Sequence, residues 1–317
     1  MTKLPEIKGP VWIGSEPITL DDLSGKVVLI DFWTYSCINC LRTLPYLREW
    51  HKKYKDDGLV IIGIHTPEFE FEMDPVNVEK AIKEYDITWP VLLDNEKENW
   101  DNFENQYWPA KYLTDTKGDI VYTHFGEGAY ADTERKIREL LGMNNPDTKE
   151  DWEVNEHKHG ATCGVATPET YCGYMRGNLM NDLGYGEDVE EVYVKSDLPL
   201  EEGRIQLEGK FFATEEYVES RDPKAELSLL CRGSEINLVL SPVGKESSVE
   251  ILWNGKPLTK EIRGEDVTED SSVIINRPGL FRIIKSKNAV EGTITIRPGS
   301  GKFRAHAFTF SGCVDSM

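Results

Sequence analysis

A chain of 317 residues exceeds the usual size of one domain and points to two. Lys and Arg number 36 against 56 Asp and Glu, a net charge of −20, so nucleic acid and anionic lipid surfaces are excluded as natural partners. The 39% hydrophobic and 10% aromatic content excludes bulk disorder, and six cysteines are too few in so long a chain for a disulfide scaffold.

Strand and helix patterns alternate through the first half. Val27-Val28-Leu29-Ile30-Asp31-Phe32-Trp33 is a short apolar run typical of a buried strand. Leu41, Leu44, Leu47, Trp50 and Tyr54 then recur at helical spacing, which predicts an amphipathic helix over residues 37–55, with Pro45 inside it as a kink. Gly58 ends that helix. Leu59-Val60-Ile61-Ile62-Gly63-Ile64 reads as a second buried strand, followed by an acidic loop, Glu68 to Asp74, and a helix over residues 75–86. Short strands are expected at 89–93, 111–114 and 120–123, the last two joined by a Lys117-Gly118 turn, and a closing helix at 131–141.

Residues 142–160 lack apolar periodicity and contain Asn144-Asn145-Pro146-Asp147, the composition of a linker. Beyond it, strand patterns recur at 203–212, 225–231, 236–240, 248–253, 272–276, 280–285, 292–297 and 303–310, separated by turns such as Asn254-Gly255 and Arg277-Pro278-Gly279. The expected layout is an α/β domain over 1–142, a linker and connecting segment over 143–184, and an all-β sandwich or jelly roll over 185–317. No window approaches the roughly 18 uninterrupted apolar residues of a membrane helix, and the N-terminus lacks the apolar core of a signal peptide. With Met1 as the native start the expected location is the cytoplasm; the alternative is the extracytoplasmic part of a trimmed membrane protein.

The chemistry concentrates at Cys37-Ile38-Asn39-Cys40. Two sulfurs three positions apart at a helix start are near enough to form a disulfide, over the positive end of the helix dipole. Cys37 is expected to be the thiolate nucleophile and Cys40, one turn further in, the resolving thiol. Half a zinc site has the same spacing, but no second pair of this kind exists and the strand-to-helix setting favours redox chemistry.

The stretch from Asp31 to Cys40, with the acid six residues before the first cysteine and Pro45 five after the second, resembles the active-site segment of the thioredoxin superfamily, most closely the TlpA and ResA type of thiol-disulfide oxidoreductase. The resemblance continues through Ile64-His65-Thr66-Pro67-Glu68-Phe69, Trp108-Pro109-Ala110 and Phe125-Gly126-Glu127-Gly128, and covers nearly all of residues 10–142. The whole chain resembles the soluble portion of DipZ-type proteins, in which a redox domain is joined to a jelly roll like that of carbohydrate-binding modules. Two departures stand out: Ser36 occupies the place where thioredoxin has Trp, and Ile-Asn replaces Gly-Pro between the cysteines.

The resemblance implies a cis Pro109 that shapes a substrate groove and keeps metal from the sulfurs, Asp31 as proton acceptor for Cys40, and Glu68 near the cysteines. An acid in an apolar strand is costly to bury unless partnered, which raises its pKa; the plainer reading of Asp31 is a solvent-facing strand end, and of Glu68 a solvated loop. Tyr35 and Trp108 are expected to line the groove, and Trp33 and Trp89 to be core. No organic cofactor is expected, because the dithiol carries the electrons. The implied partners are protein thiols and disulfides, and an upstream reductant such as a thioredoxin reductase or a CcdA-like membrane carrier. Two other functions fit parts of the sequence. Thr34-Tyr35-Ser36-Cys37 contains the T-x-x-C of thiol peroxidases, though Ile30 stands where their proline belongs, and a binding protein led by the β domain is the third reading.

Cys163 and Cys172, with His157 and His159 upstream, leave open a second disulfide, free thiols or a metal site; the spacing fits no familiar zinc pattern, so no metal is expected. Cys231 and Cys313 read as small buried hydrophobes. Trp253, Tyr193 and Phe303 are conceivable sugar platforms, and their strand placement favours core.

Overall fold

The apolar run Val27–Trp33 is buried along its whole length, as a strand covered on both faces must be. It is the middle of the first of two units, Met1–Glu156 and His157–Met317; the computed structural model describes residues 2–143 and 166–312. In chain order the first unit contains β1 (Thr2–Lys3), β2 (Trp12–Ile13), β3 (Val27–Trp33), α1 (Ile38–Tyr54), β4 (Leu59–His65), α2 (Pro75–Glu84), β5 (Val91–Leu93), α3 (Glu98–Asn102), β6 (Ala110–Thr114), β7 (Asp119–Phe125) and α4 (Tyr130–Leu140).

These strands form one mixed sheet in the order β1-β7-β6-β3-β4-β5-β2. β3 pairs in parallel with β4 and antiparallel with β6. Alternation along the strands sorts side chains onto two faces. Val28, Ile30 and Phe32 of β3, Ile62 and Ile64 of β4, and Ala110 and Tyr112 of β6 share one apolar core. The other face carries Asp31, Gly63 and Lys111, which stand opposite one another in the register.

Local sequence explains the helix limits. Asp74 accepts from the Val76 N–H at 2.9 Å and Pro75 occupies the first turn of α2, the standard entry signals of a helix. α1 runs through Pro45 without interruption and ends in a 3-10 turn, Lys55–Asp57, closed by Gly58 at φ 106°, a left-handed conformation that glycine adopts without strain.

The second unit contains β8 (Thr170–Tyr171), β9 (Glu190–Tyr193), β10 (Ile205–Ala213), β11 (Val218–Ser220), β12 (Glu226–Pro242), β13 (Ser247–Trp253), β14 (Lys256–Pro257), β15 (Ser272–Ile275), β16 (Gly279–Ser300) and β17 (Phe303–Ser311). Two pairs of expected strands are each one long strand, β12 of 17 residues and β16 of 22. A register shift between Gly233 and Glu235 divides β12, and a Cβ at Gly233 would lie 2.9 Å from Glu235 O, so glycine suits this bulge. The expected connecting segment was drawn to residue 184, but β8 pairs with β17 and both Cys172 and Leu179 belong to the second core. The stretch from Thr170 onward is therefore part of this unit. Among the described residues no helix is long and apolar enough to cross a membrane.

Candidate functional site

β3 ends at Trp33 and α1 begins at Ile38, so residues 34–37 form the turn between strand and helix. Cys37 is the N-cap of α1, and its Sγ accepts the Cys40 N–H at 3.4 Å. A helix start leaves such N–H groups unpaired and favours a partner with negative character. Cys37 is half-buried and Cys40 fully buried, both as free thiols. Burial first, then hydrogen bonding to Cys37, pushes the Cys40 thiol well above its ordinary pKa. One sulfur is therefore reachable from outside, and the other needs help to lose its proton.

Asp31 is 0% exposed, which excludes the solvent-facing reading. Burial pushes its carboxyl up to about 6, while the ammonium of Lys111 pulls the other way. Lys111 is also fully buried; its Nζ lies 3.6 Å from Asp31 Oδ1, directly across the β3–β6 ladder. Asp31 acts electrostatically on the Cys40 thiol. Lys111 went unnoticed in the sequence because it sits in a run that reads simply as strand; a lysine in register opposite the one acid of a buried strand was the available signal.

The Trp108–Pro109 peptide bond is cis, the geometry expected from the resemblance. Trp108 O lies 4.0 Å from Cys37 Sγ, so this loop forms one wall of the site. The half-buried Trp108 ring donates Nε1–H to Thr66 O at 3.0 Å and packs 4.2 Å from Trp100, with Lys97 Nζ over its face. Tyr35, expected beside it in the groove, is instead 3% exposed. It stacks on His65 at 5.6 Å and donates its hydroxyl to Phe71 O at 3.3 Å, so its aromatic surface is used inside. Trp33 and Trp89 are buried, as expected of core. Tyr107 and Phe125 are exposed aromatics of this region, their rings 5.4 Å apart.

Glu68 is half-buried and its N–H donates to the carboxylate of Glu72 at 2.7 Å. The fully buried acid of that loop is Glu72, which also accepts from the Ser36 N–H at 3.1 Å and the Ser36 hydroxyl at 2.7 Å. Burial raises its pKa, and hydrogen bonds from Thr34, Ser36 and the Phe69 backbone oppose the rise. Sequence reading missed Glu72 because four alternating acids look like one solvated run; its alternation with Phe69, Phe71 and Met73 was the only hint. His65 is buried behind the same turn, 3.4 Å from Thr34 Oγ1, and burial lowers its pKa to about 3, so the ring is neutral at physiological pH.

In the second unit Cys172 and Cys231 are buried thiols raised by desolvation. His157, His159, Cys163 and Cys313 lie outside the described residues. Tyr193 and Phe303 belong to the core and Trp253 packs against it.

Residues 2–123 match the AhpC/TSA family and residues 167–311 the family described as "Thioredoxin like C-terminal domain". The chain is 35% identical over 313 residues to Protein DipZ of Mycobacterium tuberculosis, covering 96% of this chain and 42% of DipZ; it thus spans about two-fifths of that longer protein. It is 33% identical over 140 residues to the thiol-disulfide oxidoreductase YkuV of Bacillus subtilis, covering 44% of this chain and 93% of YkuV. A solved thioredoxin-like protein in its oxidized form shares 32% identity with a TM-score of 0.42, over 45% of this chain and 97% of that one. With YkuV 33% identical and matched along 93% of its length, the chain belongs to the thioredoxin-like thiol-disulfide oxidoreductases.

Proposed function

We propose that the protein exchanges electrons with disulfides of other proteins through Cys37 and Cys40. The carrying observation is the asymmetry of the pair: Cys37 is half-buried at a helix start with its sulfur held by the Cys40 N–H, and Cys40 is wholly buried within reach of the charge of Asp31.

Reduction begins when the Cys37 sulfur, as thiolate, attacks one sulfur of the substrate disulfide. A mixed disulfide forms, and the other substrate sulfur leaves as a thiolate and takes up a proton. Cys40 then gives its proton to Asp31, and its sulfur attacks that of Cys37. The mixed bond breaks, the second substrate sulfur leaves as a thiolate and takes the proton that Asp31 holds, and the enzyme keeps a Cys37–Cys40 disulfide. Two electrons and two protons have passed to the substrate, so the dithiol is the complete redox group and an upstream dithiol or membrane electron carrier restores it. Pro109 and Trp108 form the wall against which the substrate backbone lies, with Trp108 O beside the reacting sulfur.

For the second unit, one edge of β12 pairs first with β10 and then with β17, and β16 pairs with β13 only at its C-terminal end, which supports a sandwich of the jelly-roll kind. Tyr193 and Phe303 are core residues and Trp253 packs against that core, which supports a structural rather than a sugar-binding role for these three.

Trapping tests the exchange reading. Cys40→Ser protein mixed with an oxidised protein substrate should accumulate a covalent adduct that dithiothreitol releases, and Cys37→Ser should form none. Equal adduct from both variants would contradict the assignment of attacker and resolver.

A further inference from the structure

Ser36 stands immediately before the nucleophile, and the direction of its backbone decides where Cys37 Sγ points. Its N–H and hydroxyl both donate to Glu72 Oε1, at 3.1 and 2.7 Å. The second oxygen, Oε2, accepts the N–H groups of Glu68 at 2.7 Å and Phe69 at 3.0 Å. The side chain is fully buried, where a carboxylate persists only if hydrogen bonds replace its water. Two further contacts bind the same segment to the site: the Tyr35 hydroxyl donates to Phe71 O, and Trp108 Nε1–H to Thr66 O. Residues 66–72 thus hold both the turn that carries Cys37 and the loop that carries Pro109. Ser36 also replaces the tryptophan of thioredoxin, a departure that the exchange chemistry alone leaves without a purpose.

We propose that Glu72 is a positioning residue for disulfide exchange: its carboxylate clamps Ser36 and so holds Cys37 Sγ in the geometry that ring closure with Cys40 requires. This rests on the exchange reading above. In ring closure the deprotonated Cys40 sulfur attacks the Cys37 sulfur of a mixed disulfide, the bond from Cys37 to the outside thiol breaks, and that thiol leaves with the electron pair. The step depends on the effective concentration of one sulfur at the other, which small misplacements lower steeply. Attack of Cys37 on a small alkylating reagent needs no second sulfur. The clamp therefore acts on the first quantity and leaves the second nearly unchanged.

The test compares wild type, Glu72→Gln, Ser36→Ala and the double variant as full chains. Glutamine keeps the size, but its amide nitrogen donates, so one of the two pairs of facing donors, the Ser36 N–H and hydroxyl or the Glu68 and Phe69 N–H groups, loses its acceptor. In glutathione buffers the Glu72→Gln equilibrium should shift toward the dithiol by about tenfold, with iodoacetamide alkylation of Cys37 changed less than about twofold. Ser36→Ala should shift the equilibrium less, in the same direction, and add little to Glu72→Gln, because both act through one contact. A folded Glu72→Gln protein with the wild-type equilibrium overturns the proposal, and so does an equal loss in both readouts, which would mark general loosening. Should Glu72→Gln not fold, Ser36→Ala decides alone: an unchanged equilibrium overturns it. A wild-type protein that forms no Cys37–Cys40 disulfide overturns the exchange reading itself, which the variants do not address.

Discussion

Asp31, whose charge acts on the resolving thiol, holds its proton up to about pH 6, because burial outweighs the pull of Lys111. A base accepts a proton only when ionised, so release of the mixed disulfide by Cys40 should quicken as pH rises through about 6. Asp31→Asn should remove that rise and slow the step at pH 7 by roughly 100- to 10,000-fold, the usual worth of a general base, measured by single-turnover kinetics on a Cys37 mixed disulfide. Lys111→Met should move the inflection upward, because the one cation that lowers the Asp31 pKa is gone; an unmoved inflection would show that the pair does not set it. The same shift carries a stability cost. The folded pKa lies above the free value of 3.8, so folding favours the protonated acid, and Asp31 weakens the fold as pH climbs from below 3.8 to above about 6. Cys37, Cys40, Asp31 and Pro109 were legible as residues because their offsets along the chain are themselves the motif. Lys111 and Glu72 were not, since Lys111 meets Asp31 and Glu72 meets Ser36 only across the fold, and a charged side chain in isolation reads as solvated.

Strand β4 has little spare room at Gly63. A Cβ on Gly63 would lie 3.0 Å from Trp33 Nε1, 3.2 Å from Trp89 Nε1 and 3.3 Å from Val91 Cγ2. Gly63→Ala should therefore destabilise the first unit by about 1–3 kcal/mol through overpacking, read from urea unfolding; a change within the error of the measurement would mean that the two indoles shift freely. Elements with strong periodicity were legible to within a residue or two: α1, α2 and α4 were expected at 37–55, 75–86 and 131–141 and run Ile38–Tyr54, Pro75–Glu84 and Tyr130–Leu140. The five-residue helix α3 escaped because it is too short to show a period, and the strands that escaped were set by pairing rather than by pattern. β1, β2 and β8 have two residues each, too few to show alternation, and exist because an edge strand offers them partners. β12 and β16 were divided at their polar middles, where the ladder in fact continues through Arg232–Glu291 and Gly233–Val290.

At the scale of the molecule, a net charge of −20 favours approach of cations and repels anions, an effect that salt screens. Reduction of cystamine should be faster than that of the dianionic dithiodiglycolate at low ionic strength, and the ratio should shrink toward unity with added salt; a ratio independent of salt would place the discrimination in local contacts. YkuV is matched along 93% of its length by 140 residues of this chain, and residues 2–123 match a family of their own, so residues 1–143 expressed separately should fold and reduce a small disulfide at a rate within a few-fold of the full chain, and failure to do so would assign the second unit a part in the chemistry. The division into an α/β unit and a strand-built unit was legible from the change in apolar period, while the join was not, because residues 170–184 enter the second core without a regular pattern of their own. The most direct test of the exchange account is the thiol state of the full chain across a series of glutathione buffers, read by alkylation and mass spectrometry. The account expects Cys37 and Cys40 to disappear together in a single two-electron transition, with Cys172 and Cys231 untouched. Separate glutathione adducts on the two residues, or free thiols at both throughout the oxidising range, would contradict it.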